Sequence, residues 1–109
     1  MIHLNEELRA DPLDEHVQRA AQLMAMLSSP SRLRVLCLLA GGEQSVGALA
    51  EHCGLSQPTM SQQLKKLREA GLVESRRQAQ TIYYSLSGVE VREVLATLHK
   101  LYCEGGADI

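Results

Sequence analysis

Residues 56–86 read SQPTMSQQLKKLREAGLVESRRQAQTIYYSL, and the reading of this stretch decides the rest. Met60, Leu64 and Leu67 recur at helical spacing, so one face of a helix turns inward. Ser56 suits the cap of that helix and Pro58 its first turn. The other face carries Gln57, Thr59, Ser61, Gln62, Gln63, Lys65, Lys66 and Arg68. Gln pairs bidentately with adenine, Ser and Thr reach base edges or phosphates, and Lys meets phosphates. A solvated helix face has a similar composition, so the neighbours must decide between the two. After Gly71, Leu72 to Arg76 and Thr81 to Leu86 are rich in β-formers and are bridged by Arg77-Gln-Ala-Gln80. This predicts a hairpin whose tip, with Arg76, Arg77 and Gln80, lies over a sugar-phosphate backbone.

Immediately upstream stands Ala50-Glu-His-Cys-Gly54-Leu55-Ser56. A small residue inside one helix, Gly four positions on and a capping Ser are what a helix-turn-helix crossing requires, because the helices approach closely and the turn imposes a positive φ. Ser45 suits the cap of the helix carrying Val46, Leu49, Ala50 and Cys53. Further upstream, Ser29-Pro30 opens a second helix with Leu33, Leu36, Cys37 and Ala40, ended by Gly41-Gly42. It is nearly apolar beyond Arg34 and is expected to be buried. Asp11-Pro12 opens a first helix over 12–27, striped by Leu13, Val17, Ala20, Ala21, Met24 and Leu27. At the other end, Ser87-x-x-Glu90 reads as a capping box for a last helix striped by Val91, Val94, Leu95, Leu98, Leu101 and Tyr102.

The expected fold is therefore mainly α with a small β-hairpin wing: a winged helix-turn-helix of five helices in a single domain over 1–109. The helix-turn-helix falls at about 45–70 and the wing at about 72–86, with 1–10 and 104–109 flexible. A first and a last helix with surplus apolar surface predict a homodimer formed through both.

Composition agrees with this. At 109 residues the core is small, and with three Tyr and neither Phe nor Trp there is no stacking platform for single strands. The net charge of −2 hides a polarity. Residues 61–80 set Lys65, Lys66, Arg68, Arg76 and Arg77 against Glu69 and Glu74, whereas residues 1–27 are acid-rich. The expected partner is double-stranded operator DNA. No apolar run reaches the roughly 20 residues that span a bilayer, no signal peptide is evident, and a cytoplasmic location with no membrane partner is expected. Three cysteines without a CxxC do not make a secreted disulfide framework.

With this order of elements, the chain resembles the ArsR/SmtB family of dimeric bacterial repressors over roughly residues 14–104. The resemblance is carried by LSSPSRLRVL before the helix-turn-helix, GLSQPTMSQQLKKLREAGLV through its second helix, and the wing ending IYYSL. Gln63 departs from the His that the family often carries, so no base contact is transferred to it. The family's metal sites are not matched. Gln44 to Leu49 holds no soft ligand, and the terminal-helix positions are Gly88, Glu90, Leu101 and Glu104, too few to close a shell. No metal or other cofactor is expected.

The chain is most similar to the BigR/SqrR/HlyU-type members, in which one Cys lies on the second helix and one near the end of the last. Cys37 in RVLCLL and Cys103 in HKLYCE occupy those positions. The resemblance implies redox sensing through Cys37 and Cys103, with reactive sulfur species or oxidants releasing the repressor from DNA. On residue type alone each is a small core residue, as Cys53 is expected to be. Three other readings stay open: a metal-responsive repressor using Cys37, His99 and Cys103; a thiol-dependent redox enzyme, disfavoured by the lack of CxxC, a Cys-His arrangement or a cofactor motif; and a sequence-tolerant architectural DNA-binding protein.

Overall fold

The computed structural model describes residues 12–104, with the side chains of 13–103. In chain order these form α1 (Pro12–Leu27), α2 (Pro30–Ala40), β1 (Gln44–Ser45), α3 (Val46–Cys53), α4 (Gln57–Glu69), β2 (Val73–Gln78), β3 (Thr81–Leu86) and α5 (Val89–His99), followed by a π-helical turn over Lys100–Glu104. The expected Asp11 cap and the flexibility of 1–10 and 105–109 lie outside the described residues. Glu104, expected in the tail, instead belongs to the π-helical turn.

Three serines start three helices. Ser29, Ser45 and Ser56 Oγ accept from the backbone N–H of Arg32, Ala48 and Thr59 at 3.3, 3.1 and 3.2 Å, each satisfying a donor that the first turn leaves unpaired. The corner between α1 and α2 is closed from the other side: Arg32 donates from Nε to Met26 O at 3.0 Å and from Nη2 to Ala25 O at 3.3 Å. The turn from α3 to α4 follows from Gly54 at φ 67°, after which Leu55 N donates back to Ala50 O at 2.9 Å. Ala50 is buried there.

The core is aliphatic. Met60, Leu64 and Leu67 of α4 are fully buried together with Leu49 of α3, Val35 and Leu36 of α2 and Val91 of α5. Tyr84 and Leu86 close it from the sheet. The sheet has the antiparallel order β1-β3-β2, with Arg76 opposite Tyr83 and Tyr83 opposite Ser45. Among the described residues no single helix is long and apolar enough to cross a membrane.

The structure corrects three expectations and adds one strand. The capping box at Ser87 does not form: Gly88, at φ 99°, is the cap residue, the helix begins at Val89, and no side chain caps it. The turn out of β3 needs this positive φ, and it leaves Ser87 N donating to Leu72 O at 2.8 Å, while Glu90 instead meets Arg19 at 3.5 Å. Helix α2 is not buried all round: Val35, Leu36 and Leu39 are buried, Leu33 and Leu38 pack against the core only in part, and Cys37 is exposed. The hairpin turn is shorter than Arg77–Gln80: β2 runs to Gln78, and Ala79, at φ 57°, makes the reversal with Gln80. Strand β1 was not signalled, since two residues carry no period; it exists because β3 offers it an edge.

The first helix carries two stripes. Leu23, Met26 and Leu27 pack inward, whereas Leu13, Val17 and Met24 lie on the surface, Met24 at 62 % exposure. Leu101 and Tyr102, at the other end of the chain, are similarly exposed, at 63 % and 64 %.

A Cβ at Gly54 would meet nothing within 4 Å, so a substitution there is opposed by the backbone alone. Gly54→Ala should cost about 1–2 kcal/mol, and Gly54→Asn less, because Asn tolerates the left-handed region. Urea unfolding at one fixed protein concentration checks both.

Candidate nucleic-acid interface and thiol pair

Burial of Met60, Leu64 and Leu67 sets which residues α4 presents to solvent. Gln57, Thr59, Ser61, Gln62, Lys65, Lys66 and Arg68 are all exposed. Thr59 is held at the N-terminus of α4, its Oγ1 accepting from Ser56 Oγ at 2.9 Å. Arg68 donates from Nη1 to Ser75 Oγ at 3.4 Å, tying the last turn of α4 to β2. Arg77 Nε donates to Ala79 O at 3.1 Å, so its side chain folds along the tip beside exposed Gln80.

Two more of the expected contact residues are engaged within the protein. Gln63 is half-buried, and its Nε2 donates to Ser31 Oγ at 2.7 Å, joining α4 to the first turn of α2; its Oε1 is buried without a partner. Arg76 donates to both carboxylate oxygens of Glu43, from Nε to Oε2 at 2.7 Å and from Nη2 to Oε1 at 2.8 Å. Sequence reasoning missed Glu43. Its signal is only a lone acid before β1, and nothing local points to a partner 33 positions away. The Arg76 hydrogen bond, with a smaller attraction from its charge, holds the Glu43 carboxyl below the usual carboxylate range.

The three cysteines are free thiols. Cys53 packs against the core from α3. Cys37, on the outer face of α2, and Cys103, in the π-helical turn, lie within electrostatic reach of one another. Partial burial pushes the Cys37 thiol up from its ordinary value, and the nearby Cys103 pushes it further, as two like charges oppose each other's ionisation. Among the described residues, no three His, Cys, Asp or Glu side chains converge as a metal site.

A polar, partly cationic face of α4 beside a basic hairpin defines a winged helix-turn-helix DNA-binding regulator. The sequence model for "Bacterial regulatory protein, arsR family" matches residues 29–75. Reduced HlyU from Vibrio cholerae superposes with a TM-score of 0.80 at 40% identity, over 84% of this chain and 97% of that one. The biofilm growth-associated repressor of Xylella fastidiosa is 39% identical over 93 residues, 85% of this chain and 82% of that protein. The homodimeric winged helix-turn-helix domain of a possible ArsR-family regulator from Mycobacterium bovis superposes with a TM-score of 0.76 at 33% identity, over 87% of this chain and 88% of that one. The chain belongs to the arsR family of transcriptional regulators.

Because Cys103 adds to the upward shift of the Cys37 thiol pKa, its removal has a definite sign. In Cys103→Ser, the pH midpoint for alkylation of Cys37 by iodoacetamide should move down relative to the unsubstituted protein. Mass spectrometry of the Cys37 peptide across a pH series reads it; an upward movement would contradict the stated cause.

Proposed function

We propose that this chain is a homodimeric repressor that binds operator DNA while its thiols are reduced and releases it when reactive sulfur links Cys37 to Cys103. The observation that carries this reading is that two free thiols from distant parts of the chain, one on α2 and one in the turn after α5, lie within electrostatic reach of one another. The description of a structural relative as reduced HlyU is in keeping with a thiol-dependent state. The repressor sense follows the name of the Xylella fastidiosa relative.

The exposed apolar residues Leu13, Val17 and Met24 of α1 and Leu101 and Tyr102 beyond α5 supply a surface for a twofold mate, in line with the homodimeric Mycobacterium bovis relative. Two copies of α4 then reach successive major grooves, about one DNA turn apart. Gln57, Thr59, Ser61 and Gln62 read base edges, while Lys65, Lys66, Arg68, Arg77 and Gln80 hold the backbone.

The chemistry balances with a persulfide, RSSH, as oxidant. The thiolate of one cysteine attacks the terminal sulfur of RSSH, forming Cys–S–SH and expelling RS⁻. The second thiolate attacks the protein sulfur and expels HS⁻, leaving a disulfide; overall, two thiols are oxidised and the persulfide is reduced to RSH and H₂S. A second persulfide at the first adduct lengthens the bridge by one sulfur. A crosslink closing so long a loop is worth about 4 kcal/mol, and a hundredfold loss of operator affinity requires only about 2.7 kcal/mol. Only the part that differs between the DNA-competent and incompetent arrangements counts, and a moderate bias suffices.

Cys103→Ser should bind operator DNA with unchanged affinity and resist release by a glutathione persulfide donor, as read by fluorescence anisotropy with intact-protein mass spectrometry. Normal release of that variant would sink the two-thiol switch. Lys65→Ala with Lys66→Ala should weaken binding to every duplex and lower the slope of log K against log salt by about 3.6, two phosphates for each protomer of the dimer. Unchanged binding would remove α4 from the interface.

A further inference from the structure

We propose that Arg76 is the residue that positions the wing, clamping the hairpin to the body through Glu43 and Tyr83, and that it is not itself a DNA contact. The inference rests on the reading of the wing as a DNA contact. The sheet places β3 between β1 and β2, so Arg76 on the outer strand must cross β3 to reach the body. It does so over the ring of Tyr83, its cross-strand partner, with the guanidinium carbon 4.6 Å from the ring centroid. Beyond the ring it meets Glu43 with the two parallel bonds of 2.7 and 2.8 Å, and Nη1 donates to Gln78 Oε1 at 2.8 Å. Every guanidinium nitrogen has a partner, in a planar fork that a lysine cannot reproduce.

Electrostatics also set Arg76 apart from its neighbour. A phosphate approaching Arg76 meets a cation already neutralised by a carboxylate, so the pair releases no counterion on binding. Arg77, bonded only to the carbonyl of Ala79, keeps its charge for the backbone. The clamp is half-open to water, with side chains 50 % and 35 % exposed. Its effect is therefore to orient the hairpin rather than to stabilise the whole fold.

The test is operator affinity across a salt series, with thermal unfolding as the control for folding. Glu43→Gln and Arg76→Gln should each weaken binding by about two- to fivefold, leave the salt slope unchanged and combine with no further loss. Arg76→Lys should behave like Arg76→Gln. Tighter binding by Glu43→Gln, a slope lowered by about 1.8 in Arg76→Gln, one phosphate for each protomer of the dimer, or no change in either variant would overturn the proposal. Arg77→Gln separates the two levels: it should lower the slope by about 1.8, one phosphate for each protomer, and an unchanged slope there would remove the reading of the wing on which the inference rests.

Discussion

Burial of one face of α4 is the constraint on which the rest of the structure depends. Met60, Leu64 and Leu67 are wholly withdrawn from water among the aliphatic side chains of α2 and α3, and each such burial contributes on the order of 1.5–3 kcal/mol. A helix held along three points of one stripe cannot roll. Turning it by one residue would strip a leucine from the core and press Lys65 or Lys66 into it. The outward direction of the polar residues is thus a consequence of the core, and the same core holds Leu72, Val73 and Leu86 at the base of the hairpin. The helix with the exposed polar face and the wing beside it share one foundation.

Helix α2 connects that foundation to the thiols. Its inner residues Val35, Leu36 and Leu39 belong to the same core as the buried faces of α3 and α4, and Cys37 stands next to Leu36 on the outer side. A covalent change at Cys37 is therefore one residue from the packing that sets α4. The hydrogen bond between Gln63 and Ser31 supplies a second link, since it joins the groove-facing helix to the first turn of α2. Cys103 is carried by the π-helical turn that ends the described chain, and such turns re-aim side chains relative to a regular helix. The wing has its own attachment through Arg76, Glu43 and Tyr83. In the proposed function, reading of bases, gripping of the backbone and control of both fall to different residues.

Much of this was legible in the residues. The helical period of Met60, Leu64 and Leu67, the serine caps at Ser29, Ser45 and Ser56, and the left-handed turn at Gly54 are local features. Their energetics are decided within a few residues, so a linear reading recovers α1 to α4 and both wing strands. The same reading failed at Ser87, where a capping box was spelled but not made. The strand before it and the positive φ of Gly88 determine where α5 can start, and neither is encoded in the four residues of the box.

The sequence by itself determined which elements form, which face of each is apolar and where the positive charge collects, because those properties depend on neighbours along the chain. The tertiary structure decided how the charges and thiols are used. It paired Arg76 with Glu43, engaged Gln63 with Ser31, turned Cys37 outward from a helix that looked uniformly apolar and brought Cys103 within its electrostatic reach. These are contacts between residues far apart in the chain, and hydrogen-bond geometry and Coulomb interaction act on distance in space, which the fold alone sets.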